Sequence, residues 1–245
     1  MRIGAFDVEH HALLGSTNET AKQRAELGCP HGTVIWADEQ TAGHGRYGRP
    51  WHSPPGNLLF SVVLRPSVPV SRGVELGFLV ALIVAEYAAE VVPHSASVTL
   101  KWPNDVQVDD AKVAGVLPEA GTFDMTLNWI VVGVGLNLEH APTDTPYPAT
   151  SLRAHGVATT PEQALQAFLA RLEHWLPRWE NEGFGPVRDT WLAFAPGLGT
   201  DVTVTMGDRQ QHGVFNGLDA DGAMLLATAD GTRRISAGEV KFGSM

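Results

Sequence analysis

The 245-residue chain holds a single cysteine, Cys29, which excludes an internal disulfide and any cysteine-based zinc cluster. Basic residues are scarce as well. Seventeen Lys and Arg stand against 27 Asp and Glu, a formal net charge of −10, so the molecule repels phosphate polymers at long range and general DNA or RNA binding is disfavoured. No apolar run approaches the roughly 18 residues that cross a bilayer; the longest, around 129–134, stops far short. The first residues lack a basic segment followed by an apolar one, so no secretory signal is visible. A reducing, cytoplasmic setting fits these absences. There is no G-x-x-x-x-G-K-[ST] phosphate loop and no H-E-x-x-H, and the ten histidines show no metal-ligand spacing.

What remains is a globular composition, 44% hydrophobic, long enough to bury a core without staples. Ser16-Thr17-Asn18-Glu19 has capping-box spacing and predicts a helix over 17–27, stopped at Gly28. A short strand over 33–37 runs into a polar, glycine- and proline-rich loop over 38–56. Leu58–Leu64 reads as a buried strand and 75–91 as an apolar helix. A strand over 98–102, a turn at Pro103-Asn104-Asp105, and a hairpin pairing 106–108 with 112–117 across Asp109-Asp110 follow. Residues 126–138 read as a central strand ending in a bend at Gly133 and Gly135, and helices are predicted over 161–180, with a kink at Pro177, and 187–194. After Pro196 short strands alternate with Gly207-Asp208, Asp221-Gly222 and Asp230-Gly231 turns, which predicts a small β-barrel of about fifty residues.

Four segments carry chemistry. Gly43-His44-Gly45-Arg46-Tyr47-Gly48 spells G-x-G-x-x-G, but several polar or small residues separate it from the preceding strand, and Pro50, Pro54 and Pro55 bar a following helix, so a dinucleotide fingerprint is excluded. Its glycines allow close backbone approach, and Arg46 and Arg49 offer forked donors to an anion; a surface loop with two solvated arginines is the alternative. Trp51 either stacks on a base or anchors the loop. Asn104 and Asp105 sit in a turn whose side chains bond their own backbone or face a ligand, and Lys112 is a snorkelling edge lysine or a reacting cation. Gly133-Val134-Gly135-Leu136-Asn137 has no third glycine and marks a place where backbone passes close to something.

Taken in order, Ser16-Thr17-Asn18, the segment from Asp38 through Gln40 and Gly43 to Trp51, Lys101-Trp102-Pro103-Asn104-Asp105, Lys112-Val113-Ala114-Gly115-Val116-Leu117 and Gly133-Val134-Gly135-Leu136-Asn137 resemble the biotin protein ligases. The resemblance implies an α+β fold: a mixed central sheet flanked by helices over 1–195, and a small SH3-like β-barrel over 196–245. It implies ATP and Mg²⁺ as cofactors and biotin as substrate. Biotin is joined to the α-phosphate of ATP and then passed to a lysine of the biotin carboxyl carrier domain of acetyl-CoA carboxylase or a related carboxylase. On this resemblance Ser16, Thr17, Asn18, Gln40, Gly43, His44, Gly45, Arg46, Lys112 and Gly115 bind biotin. Arg46, Arg49, Trp51, Asn104, Asp105, Lys112 and Asn137 bind ATP, Asp105 meets the metal carried on ATP, and Lys112, Arg46 and Arg49 neutralise the reacting anions.

Three departures stand out. His44 replaces an arginine common in relatives, which makes an anion contact there pH-dependent. Pro118 falls where an apolar residue is usual and predicts a shortened strand. Only about fifteen residues precede Ser16, so the expectation is an enzyme without the DNA-binding domain of the bifunctional relatives, acting on neither DNA nor membrane; a homodimer is compatible with the sequence. The rivals are a lipoate or octanoate ligase, which needs no partners for a ureido head, and a non-catalytic biotin sensor or nucleic-acid-binding module built on the arginine loop.

Overall fold

The computed structural model describes residues 1–123 and 126–242. Its larger unit is an eight-stranded sheet. In chain order the strands are β1 (Arg2–Ile3), β2 (Phe6–Leu14), β3 (Thr33–Gln40), β4 (Leu58–Leu64), β5 (Val98–Lys101), β6 (Asp105–Val108), β7 (Ala111–Phe123) and β8 (Thr126–Leu136). Across the sheet they run β1-β2-β3-β4-β8-β7-β6-β5. The β2–β3 pair is parallel because α1 (Thr17–Glu26) returns the chain over the sheet, and the other neighbours are antiparallel.

Strand period decides what faces what. Leu58, Phe60, Val62 and Leu64 of β4 and Ile130, Val132, Val134 and Leu136 of β8 enter the main core. There they meet α2 (Gly73–Val91) and α3 (Pro161–Glu182), and α4 (Gly185–Phe194) packs on α2. The opposite face carries a smaller cluster, Ala21 and Ala25 of α1 on Ile35, Val63, Trp129 and Val131. Odd positions of β4, of β7 from Gly115 to Glu119 and of β8 from Trp129 to Gly135 therefore face α1, whereas Val113 and Leu127 enter the main core. On the main-core side Glu75 is 5% exposed, and burial pushes its carboxyl above the usual range against the opposing Trp179 and Arg72 contacts.

Several expectations change. Ser16 is the N-cap of α1, but its hydroxyl makes no capping bond and Glu19 pairs with Lys22, so the capping box does not form. One forms instead at Thr160 and Gln163 of α3. That helix continues past Pro177 to Glu182. Strand β8 runs unbroken through Gly133 and Gly135, with no bend. Pro118 does not shorten β7, whose ladder with β8 continues through it. The reason is local. Val116 directs both its N–H and its carbonyl to Asn104, away from β8, and Pro118 has the same parity; β6 pairing ends opposite Gly115, so the missing N–H interrupts no ladder.

The second unit comprises β9 (Asp201–Met206), β10 (Arg209–Leu218), β11 (Met224–Thr228), β12 (Gly231–Ile235) and β13 (Glu239–Phe242), ordered β12-β11-β10-β9-β13 and antiparallel throughout. Among the described residues no ladder joins β12 to β13, so the expected barrel is not closed by hydrogen bonds; residues 243–245 of that expected unit lie outside the description. Its turn at Asp221 and Gly222 reaches the first unit, where the Trp102 indole donates to the Gly222 carbonyl at 3.1 Å. Among the described residues no helix is long and apolar enough to cross a membrane.

Candidate active site

Two registered rungs on the α1 face build the floor of the site. In the first, Ser61, Gly133 and Leu117 lie opposite one another on β4, β8 and β7. In the second, Leu59, Gly135 and Gly115 do the same. A Cβ on Gly133 would come 2.0 Å from Asn18 Oδ1, and one on Gly135 would come 2.3 Å from the Trp51 indole. A Cβ on Gly115 would stand 3.1 Å from Trp51 and 3.3 Å from the Lys112 stem. The glycines are therefore clearance: side chains from α1 and from the loop lie directly on the strands.

Over the first rung sits a buried polar network. Asn18, 4% exposed, donates Nδ2 to Glu119 at 2.7 Å and to the Leu117 carbonyl at 3.3 Å. Ser61 Oγ, fully buried, is 2.6 Å from Asn18 Oδ1 and 2.8 Å from Thr17 Oγ1. Gln40 Oε1 accepts the Thr17 amide at 2.7 Å and lies 3.1 Å from Thr17 Oγ1, while Gln40 Nε2 donates to Ser53 at 3.1 Å. Burial alone would raise the Glu119 carboxyl, but bonds from Lys22 and Asn18 outweigh it and hold it below the usual carboxylate range. Glu19, His44 and Glu119 bring ligand atoms within 4.8 Å of one another. The Lys22 ammonium, 2.7 Å from Glu19 and 2.8 Å from Glu119, supplies the cation there.

Over the second rung Lys112 stands 2.7 Å from Asp105, with its side chain 15% exposed. Its ammonium lies 5.4 Å from the centre of the Trp51 ring and 5.3 Å from that of Tyr147. The 146–150 segment is tied to it by Lys112 N–H to the Pro148 carbonyl and Thr150 N–H to the Lys112 carbonyl, both 2.9 Å.

The arginine loop closes the third side with weaker ties. Arg46 donates to Asn104 at 3.5 Å, to the Gly238 carbonyl at 3.4 Å and to the Tyr47 hydroxyl at 3.0 Å. Arg49 pairs with Glu239 of the second unit. Tyr47 has φ of 60° and is exposed.

These residues line two cavities, of about 430 Å³ and about 520 Å³. Gln40, Pro50, Trp51, Lys112 and Tyr147 line both. The first also receives Ser16, Thr17, Asn18, His44, Gly45, Arg46, Arg49, Asn104, Asp105 and Gly115. Asn137 lies apart from them: it is 2% exposed, donates to the Thr150 carbonyl at 3.1 Å and lines only the second cavity. Gly43 packs beneath Gln40 and Ser53, where a Cβ would come within 2.9 Å of both. Sequence reasoning missed Ser61, Lys22, Ser53, Glu119, Tyr147 and Glu239. The signal for Ser61 was available, as the one polar residue in the apolar strand β4.

The Biotin/lipoate A/B protein ligase family model matches residues 12–137, and the Biotin protein ligase C terminal domain model matches 197–243. The biotin–[acetyl-CoA-carboxylase] ligase of Paracoccus denitrificans is 35% identical over 240 residues, covering 94% of this chain and 100% of that protein. The bifunctional ligase/repressor of Bacillus subtilis is 32% identical over 240 residues, covering 96% of this chain and 73% of that protein. The biotin protein ligase from Aquifex aeolicus in complex with biotin and ATP superposes with a TM-score of 0.81 at 28% identity, covering 98% of this chain and 99% of the other.

Proposed function

The chain belongs to the Biotin/lipoate A/B protein ligase family, and from that premise we propose that it is an ATP-dependent biotin ligase acting on a biotin carboxyl carrier domain. The observation that carries this reading is the pair of cavities meeting at Lys112. One runs to the buried polar network of Thr17, Asn18 and Gln40, which suits a ureido head. The other is walled by Trp51, Tyr147 and Asn137 and suits a nucleotide. A carboxylate at the end of the first and an α-phosphate at the end of the second then meet beside one ammonium.

Both reacting groups are anions, so alignment and charge neutralisation are what the protein must supply. A biotin carboxylate oxygen bonds to the α-phosphorus, and the bond to the leaving pyrophosphate breaks. The neutral amine of the carrier lysine then attacks the acyl carbon, AMP leaves with the anhydride oxygen, and the amine loses a proton. Lys112 bridges carboxylate and α-phosphate, leaving Asp105 as it does so, and Arg46 and Arg49 neutralise phosphate charge. Asp105 has one oxygen on Lys112 and lies 27% exposed by side chain, which fits the single protein carboxylate that Mg²⁺ on ATP commonly takes. The ion would supply further neutralisation of the phosphates. His44 and Arg46 cover the bound biotin and keep water from the anhydride.

The unit over 1–195 performs this chemistry, and that over 196–245 closes on the arginine loop. The enzyme acts in the cytoplasm on a protein partner; its net charge of −10 opposes a DNA role. Incubating a carrier domain with this protein, ATP and either biotin or lipoate, followed by mass spectrometry, tests the reading. Biotin-dependent mass gain at one lysine is expected. Gain with lipoate alone assigns the lipoate branch instead, and no gain with either removes the ligase reading.

A further inference from the structure

Charge is divided unevenly between the two cavities. Apart from Lys112, which both share, the one Lys, Arg, Asp or Glu lining the second cavity among the described residues is Asp144. A polyanion finds no further cation there. The first cavity adds Lys101 and Lys241 to Lys112, Arg46 and Arg49, and its two carboxylates are already paired, Asp105 with Lys112 and Glu239 with Arg49. Among the described residues Lys101 and Lys241 form no ion pair. On a chain of net charge −10 this is a local excess of positive charge. Lys101 ends β5 and stands opposite Asp105 in the β5–β6 ladder, while Trp102 beside it holds the second unit through the Gly222 carbonyl. In β13 Val240 turns into the core, so Glu239 and Lys241 share the other face. Arg46 joins the two elements by its contacts with Asn104 and the Gly238 carbonyl.

From this division we infer that Lys101 and Lys241 receive the β- and γ-phosphates of ATP and hold the pyrophosphate as it leaves, so that the second unit supplies part of the leaving-group site. The inference rests on the ligase reading and deepens it. A nucleoside in the second cavity with its α-phosphate at Lys112 has no cation on its own side for the remaining phosphates, and Asp144 repels them. Displacement at phosphorus runs with attacking and leaving oxygens roughly in line. A carboxylate arriving from the Thr17 end therefore sends pyrophosphate toward the arginine end of the same cavity. As the bond from the α-phosphorus to the bridging oxygen breaks, its electron pair leaves with pyrophosphate, and the two ammonium groups meet the added charge.

The test separates the two half-reactions in the full chain. Pyrophosphate release from ATP and biotin is followed against ATP concentration and against added inorganic pyrophosphate, and carrier biotinylation is followed separately from supplied biotinyl-AMP. Lys101→Gln is expected to lower release at subsaturating ATP by about tenfold and to raise the pyrophosphate inhibition constant by a similar factor. Lys241→Gln, at the more exposed residue, is expected to change both by about threefold, an effect that shrinks as salt rises toward about 1 M. Lys101→Arg keeps the charge and is expected to stay within about threefold of wild type. Biotin affinity, and transfer from biotinyl-AMP, in which pyrophosphate takes no part, are expected to stay within about twofold in all three variants. A merely structural role lowers biotin affinity and transfer along with release, and a carrier-docking role raises the KM for carrier in the transfer step while leaving release unchanged; either result overturns the inference. A Lys101→Gln protein with wild-type release and wild-type pyrophosphate inhibition does so too. Wild-type protein that releases no pyrophosphate from ATP and biotin overturns the ligase reading itself, a failure distinct from those.

Discussion

The two ends of the first cavity are built on different principles. At the Thr17 end every contact is between buried or half-buried groups, registered over Gly133, and the partners come from α1, β3, β4 and β7. At the arginine end Tyr47 is exposed, and the Arg49–Glu239 pair has both side chains about half exposed, at 54% and 46%. Buried, fully partnered polar groups are costly to disturb, whereas an exposed ion pair contributes about 0–1 kcal/mol. The polar end is thus preorganised, and the arginine end is free to rearrange around an anion.

The sharpest break in this contrast is at the junction. Lys112→Ala is expected to slow carrier biotinylation by about 10²–10³-fold, because the one ammonium between the cavities is removed; rates at saturating biotin and ATP check it. Next comes Gly133→Ala. Its Cβ would overlap Asn18, so overpacking is expected to cost about 1–3 kcal/mol of stability and to weaken biotin binding with little effect on ATP binding. Denaturant unfolding and separate titrations of the two ligands decide it.

Smaller effects sharpen the other end. Glu239→Gln is expected to change stability by less than about 1 kcal/mol, and its effect on pyrophosphate release is expected to shrink as salt rises toward about 1 M. The smallest is a pH effect. Glu119 is held below the usual carboxylate range, so it contributes stability that is present above its unfolded value, about 4.3, and lost as pH falls through its lower folded value. The difference in melting temperature between wild type and Glu119→Gln should therefore be largest near neutral pH and shrink below about pH 4.

The same contrast separates what was legible in the sequence from what was not. Strand β4 was readable to the residue because an apolar run bounded by Gly56 and Arg65 has few alternatives. The ordered motifs marked Ser16, Thr17, Gln40, Arg46, Trp51, Asp105 and Lys112, and the fold gathers all of them about one cavity. Their supports were hidden, since Ser61 and Glu119 act across strands 43 and 101 residues from Asn18. Gly133 and Gly135 were read both as a bend and as a place where backbone passes close to something; the bend is absent, since the ladders on both sides run through them, but the close approach is there, their missing side chains making room for Asn18 and Trp51. Asn137 was grouped with the nucleotide residues by its motif; it lines the second cavity, and its amide donates to the Thr150 carbonyl.

The most direct test of a preorganised head end and a rearranging anion end compares biotin binding without ATP and pyrophosphate release, each in wild type and Arg46→Gly. Biotin is expected to bind the wild-type protein in the absence of nucleotide. Arg46→Gly is expected to lower pyrophosphate release at saturating substrates by about 10²-fold while lowering biotin affinity by less than about tenfold. Failure of biotin to bind without ATP, or equal losses of rate and affinity in Arg46→Gly, would contradict the account.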